Sequence, residues 1–222
     1  MPSPFDDFPT ELVVKILSNL PYRSLLVVLS VSKRFSAIVT EDPELSVQLF
    51  KKLSKVYVES VDDERIRGGI HSVTQKSEPV RLHPAVPLVS YILGNKVERA
   101  SFWIRNKDYR PHLVDLAIAN DFVSIPVVTM MKIKVPDRSY IPVERQNSFN
   151  VVVKNPRGVR LIDFFRALAK ESSVLLQGYT VRDFFGQKTT RATLLGDHIY
   201  YEGIDEVTKE GLLLTGTIWL GS

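Results

Sequence analysis

The sequence predicts an α+β fold. A small N-terminal helical bundle leads into a mixed domain with a mostly antiparallel sheet and one or two packed helices. Three observations predict it. Apolar residues recur at helical spacing through the first 50 positions. Beyond about residue 82 they alternate at strand spacing in several short runs. One strongly amphipathic helix falls between those runs, and the order strand, strand, helix, strands suits segregated rather than alternating elements. The division expected is a helical unit over residues 1–50, a linker or mobile loop over 51–81, and an α+β domain over 82–222.

The elements follow in order. Pro9 suits the first turn of a helix, where its missing N–H costs nothing, and Glu11 complements the positive end of the helix dipole. Leu12, Ile16 and Leu20 fall at i, i+4 and i+8 and share a face that Val13 and Leu17 widen. Pro21 ends that helix. Ser24 is the expected cap of a second run, residues 25–29, which is apolar throughout. Phe35, Ile38 and Val39 make a stripe on a third helix, and Asp42-Pro43 starts a fourth. About 45 residues bury too little apolar area to be comfortably stable alone. Yet this segment is more apolar than its own core needs, so a partner surface is expected.

Residues 56–58 suit a short strand, and residues 62–79, rich in charge, glycine and small side chains, read as loop. Residues 97–104 are a strand candidate. Residues 127–135 alternate apolar and polar with Lys132 and Lys134 on one face, and Phe149–Lys154 is a second valine-rich strand. Asn155-Pro156-Arg157-Gly158 has type I turn chemistry. Leu161, Phe164, Phe165 and Leu168 then form one stripe at i, i+3, i+4 and i+7. Thr180 with Asp183 suits another short helix, and residues 212–220 alternate as a closing strand.

Composition excludes several classes. The chain has 222 residues, 44% hydrophobic and 24% charged, which does not fit a wholly disordered or collagen-like chain. With no cysteine there is no disulfide, thiolate metal site or cysteine nucleophile. No apolar run approaches the roughly 18 residues of a membrane span, and the acidic, proline-broken N-terminus lacks signal-peptide character. A cytoplasmic or nuclear location is expected. Net charge is +4. The first 50 residues hold four basic side chains (Lys15, Arg23, Lys33, Arg34) against six acidic, so the excess lies in the remainder and is scattered. Nucleic acid and membrane are not expected partners.

Phe8-Pro9-Thr10-Glu11-Leu12, Ile16-Leu17, Leu20-Pro21, Ser24-Leu25, Val31-Ser32-Lys33-Arg34-Phe35, Ile38 and Pro43-Glu44-Leu45 together resemble an F-box, a helical module of about a fifth of this chain. Phe8 departs from the usual leucine, Ser32 from a common cysteine and Phe35 from a common tryptophan. The resemblance implies docking on the Skp-type adaptor of SCF ubiquitin ligases, with Pro9, Leu12, Ile16, Leu20, Leu25, Val31 and Phe35 at the adaptor interface. The region with His83-Pro84-Ala85, residues 117–135, 155–165 and 203–219 is similar to a fungal domain of unknown function that is sometimes joined to an F-box. That family supplies no activity.

No catalytic constellation is expected. Gly-X-Ser-X-Gly, the phosphate-binding loop and the dinucleotide glycine motif are absent. His71, His83, His112 and His198 do not pair at helical spacing, so no helical metal face forms. His83, held extended by Pro84, is expected to act locally. Asp197 and His198 are neighbours that a strand would send to opposite faces. Asp62-Asp63-Glu64 and Asp205-Glu206 read as solvated loops. Lys154, Arg157, Arg160 and Arg166 surround the 155–158 turn and form a candidate substrate patch, because arginine forks match acidic or phosphorylated groups. The reading is a non-enzymatic adaptor subunit of a cullin–RING ligase, with no cofactor or metal, a Skp-type adaptor as one partner and a protein substrate as the other. The alternative is a fungal enzyme or ligand-binding domain that carries an F-box as a localisation handle.

Overall fold

The computed structural model describes residues 8–56, 78–103, 109–136, 148–176 and 189–222. Four helices open the chain: α1 (Thr10–Leu17), α2 (Tyr22–Val28), α3 (Lys33–Glu41) and α4 (Pro43–Gln48). Pro9 lies just before α1 with extended backbone. The helix ends at Leu17, short of Pro21. There the Lys15 carbonyl accepts from Ser18 Oγ at 3.1 Å and Asn19 Nδ2 at 2.6 Å. Pro21 instead precedes α2, so Ser24 sits inside that helix and caps nothing. Ser32 caps α3, accepting from Phe35 N–H at 3.1 Å. Asp42 caps α4, accepting from Glu44 and Leu45 N–H at 2.9 and 3.0 Å, with Pro43 in the first turn.

Among the described residues the rest of the chain forms two sheets, one further α-helix and several short 3₁₀ turns. Strands β1 (Arg81–Leu82) and β4 (Ser124–Ile125) pair with each other. The large sheet contains β2 (Val89–Ile92), β3 (Ser101–Phe102), β5 (Met130–Val135), β6 (Phe149–Lys154), β7 (Tyr200–Glu210) and β8 (Leu213–Gly221), in the order β3-β2-β7-β8-β5-β6. Every neighbouring pair is antiparallel except β5 with β8. The α+β architecture is therefore as expected. Residues 97–104 differ: Ala100 N–H bonds back to Val97 C=O at 2.9 Å in a 3₁₀ turn, leaving only two residues for β3. Asp205-Glu206 also differs, lying within β7 at a bulge rather than in a loop. The expected helix at Thr180 and most of the expected strand at 56–58 lie outside the described residues, as does Asp62-Asp63-Glu64.

Helix α5 (Leu161–Ser172) packs its stripe on the sheet. Leu161, Phe164, Phe165 and Leu168 are all fully buried in one cluster with Met131, Ile133, Val151, Val153, Leu214 and Ile218. The preceding turn fixes where α5 starts. Gly158 N–H bonds to Asn155 C=O at 2.9 Å, and Asp163 accepts from Asn155 Nδ2 at 2.7 Å and from Arg160 N–H at 3.1 Å. Gly158 has φ +99°, and a Cβ there would stand 2.6 Å from Phe122 Cε1 and from Val127 Cγ1. Gly158→Ala therefore combines a left-handed backbone with overpacking, at a cost of roughly 2–4 kcal/mol. Its denaturant midpoint should fall well below wild type; an unchanged midpoint would contradict this packing.

The helical unit meets the sheet domain along a seam. The core of the helices includes Ile125 from β4 beside Leu25, Leu45, Leu49 and Phe50. Phe122 N–H donates to Phe50 C=O at 2.8 Å, Val127 N–H to Ser54 C=O at 2.9 Å, and Arg81 Nη2 to Gln48 C=O at 3.3 Å. The Arg81 guanidinium also lies 4.9 Å from the Phe50 ring centre.

Candidate functional site

The helical unit fills a core and leaves several large apolar side chains open to solvent. Val13, Leu17, Tyr22, Leu25, Ile38 and Val39 fill its core. Leu12 is 49% exposed and Ile16 53%; one helical turn apart, they share the outer face of α1. Val27 at 63% and Val31 at 61% are as open, and Phe8 and Leu26 are also exposed. Of the residues expected at an adaptor interface, Pro9, Leu12, Ile16 and Val31 are exposed, and Leu20 and Phe35 are half-buried against the core. Leu25 is corrected: it is completely buried and cannot reach a partner. On α2, Tyr22 and Leu25 at i and i+3 form the inner face, which turns Leu26 and Val27 outward. Those two residues are the part of the surface that a uniformly apolar run conceals.

The expected basic patch divides. Lys154 and Arg166 line one shallow hollow between β6 and α5, together with Lys170. Arg157 is exposed on the adjoining turn, where its N–H donates to Asn155 Oδ1 at 3.0 Å. Arg160 belongs elsewhere. Its Nη1 donates to Asn120 C=O at 2.6 Å and its guanidinium stands 5.3 Å from the Phe122 ring centre, so it clamps a loop. Its place at the start of α5 points it backward, away from the helix face that carries Arg166.

His83 turns out to be the hub of the seam. It is fully buried, with its ring 4.6 Å from Phe50 and 5.2 Å from Tyr22. Nδ1 accepts from Ala85 N–H at 3.0 Å, which puts the single proton of the neutral ring on Nε2. Nε2 faces Tyr22 Oη at 3.2 Å and Asp121 Oδ2 at 3.6 Å. Burial pushes the His83 pKa below its usual value, opposed by Asp121 and assisted by Arg81. Burial likewise raises the Tyr22 hydroxyl, with Asp121 adding to it. Protonation would turn Nδ1 from acceptor to donor and break its bond to Ala85. A His held neutral when folded titrates in the unfolded chain first, so stability is full above about pH 6.5 and declines as pH falls below it, by at most about 1.4 kcal/mol per unit. The melting temperature should fall between pH 7 and 5.5, and His83→Asn should flatten that slope. An equal slope in the variant would place the titration elsewhere.

Asp197 and His198 do not form a catalytic dyad. Asp197 Oδ1 and His198 Nε2 are 3.7 Å apart, beyond hydrogen-bond reach, and Asp197 is mostly exposed. Among the described residues no group of three or more His, Asp or Glu is placed to hold a metal ion, and no helix is long and apolar enough to cross a membrane.

No curated protein and no solved structure matches the chain. Residues 5–46 match the family model of the F-box domain, over the span that holds α1 to α3, the start of α4 and the open apolar face. The helical unit that begins this chain is an F-box domain.

Proposed function

We propose that the chain is a substrate-recognition subunit of an SCF-type cullin–RING ubiquitin ligase. F-box domains typically bind Skp-type adaptors, and one observation of this chain supports that partner above all. Leu12, Ile16, Val27 and Val31 stay open to solvent beside a core that is already filled. An apolar face of that kind gains free energy on docking because it leaves water.

In this reading the adaptor joins the chain to the ligase, and the domain after the F-box holds a protein substrate. Ubiquitin transfer then gains from proximity: a tethered substrate meets the conjugating enzyme at high effective concentration, and this chain performs no chemical step. The seam of Tyr22, Phe50, Arg81 and His83 supports the same reading, since it ties the adaptor face to the sheet that would present the substrate. The site of action is the cytoplasm, the nucleus or both. The test is assembly: purified full chain mixed with a Skp-type adaptor should elute with it as one complex. Separate elution of the two at micromolar concentration would contradict the proposal.

A further inference from the structure

Among the described residues the far end of the large sheet is open: β6 is the last strand in the order and pairs only with β5. The ladder fixes which of its backbone groups are spent. Asn155 N–H bonds to Thr129 C=O at 2.9 Å, so the hydrogen-bonded pairs that follow are Val153 with Met131, Val151 with Ile133 and Phe149 with Val135. The N–H and C=O groups of Asn150, Val152 and Lys154 therefore point away from the sheet. No residue bonds to them among the described residues, and Val152 is 46% exposed. An unspent edge of three alternate residues is a template for another strand.

The charge beside this edge selects what can lie there. The hollow between β6 and α5 carries Lys154, Arg166 and Lys170, none of them in an ion pair among the described residues. Its two carboxylates are already engaged. Asp163 accepts from Asn155 and Arg160, and Glu171 pairs with Arg191. Lys132 and Lys134 add charge on the exposed face of the neighbouring β5. A second copy of this chain would bring the same cations to the same edge and be repelled.

We propose that an extended acidic segment of a partner protein adds to the outer edge of β6 as a further strand. Its main chain bonds to Asn150, Val152 and Lys154, and its carboxylates meet Arg166 and Lys170 on the side of α5. The proposal rests on the reading of the domain after the F-box as the partner-holding half and names the chemistry that half recognises.

The probe is a short labelled peptide of alternating Glu and Val, titrated into the full chain by fluorescence anisotropy. A second peptide of the same sequence carries N-methyl groups along one backbone edge, which keeps its charge and removes its donors. Val152→Pro removes an outward N–H without touching the ladder to β5, a position where an edge strand tolerates proline. The expected result is binding of the parent peptide that weakens roughly ten-fold or more with N-methylation, with Val152→Pro and with Lys170→Glu, each loss equal to about one hydrogen bond or ion pair of binding energy. Equal binding of the N-methylated peptide would overturn strand addition in favour of charge alone, and it needs no variant to fold. No binding of the parent peptide would overturn it outright. A dimer of the free chain that Val152→Pro dissolves would make a second copy the occupant and also overturn it. Adaptor binding measured on the same samples separates the two ideas: if it persists while the peptide fails, only the strand-addition proposal falls.

Discussion

Phe165→Ala is expected to lower the melting temperature of the full chain by about 10 °C. Phe165 is fully buried in the middle of an aromatic cluster, with ring centres 5.0 Å from Phe164, 5.2 Å from Tyr201 and 6.1 Å from Tyr91. Its contacts with Tyr91 and Tyr201 are edge-to-face, the arrangement that adds attraction beyond area burial. Truncation removes the ring and leaves a cavity that β2, β7 and α5 cannot close without shifting a six-stranded sheet. Losses of about 3–5 kcal/mol are usual for such sites, a large share of a domain's net stability. A thermal melt within a degree of wild type would mean that α5 does not pack through this face.

The same helix shows what was legible in the sequence. Leu161, Phe164, Phe165 and Leu168 occupy one stripe by spacing alone, and all four are buried, because a twelve-residue helix beside a sheet has one face to hide. Asp42 was readable at a helix start because it acts on N–H groups two and three positions ahead, whereas the cap Ser32 was missed in favour of Ser24, which lies inside α2. The alternation of β5 and β6 carried their inward residues for the same local reason. Leu25 was not readable as core. In a run of five apolar residues the pattern holds no contrast, and only the partnership with Tyr22 fixes the inward side. His83 makes the local bond expected of it, to Ala85, but its wider contacts and those of Arg160 were not readable for a different reason. Their partners are remote in sequence, Tyr22 lying 61 positions from His83 and Asn120 lying 40 from Arg160. No local period encodes such contacts. The open edge of β6 is likewise a property of strand order, in which β8 enters beside β5 in parallel and leaves β6 outermost.

If the outer face of α1 docks on a Skp-type adaptor, the double variant Leu12→Asp, Ile16→Asp should lose that partner while staying folded. Both residues are about half exposed, so the substitutions should leave folding within a few tenths of a kcal/mol of wild type. The carboxylate introduced at position 12 falls in the first turn, where the helix dipole favours it, and only the one at position 16 sits near the unfavourable end. On docking, each carboxylate would enter a desolvated apolar interface without a partner, at a cost of several kcal/mol. The measurement is the dissociation constant of the full chain for the adaptor, taken beside a thermal melt of each protein. The expected result is affinity weakened by roughly a hundred-fold or more with the melt unchanged. Wild-type affinity in the folded double variant would contradict it.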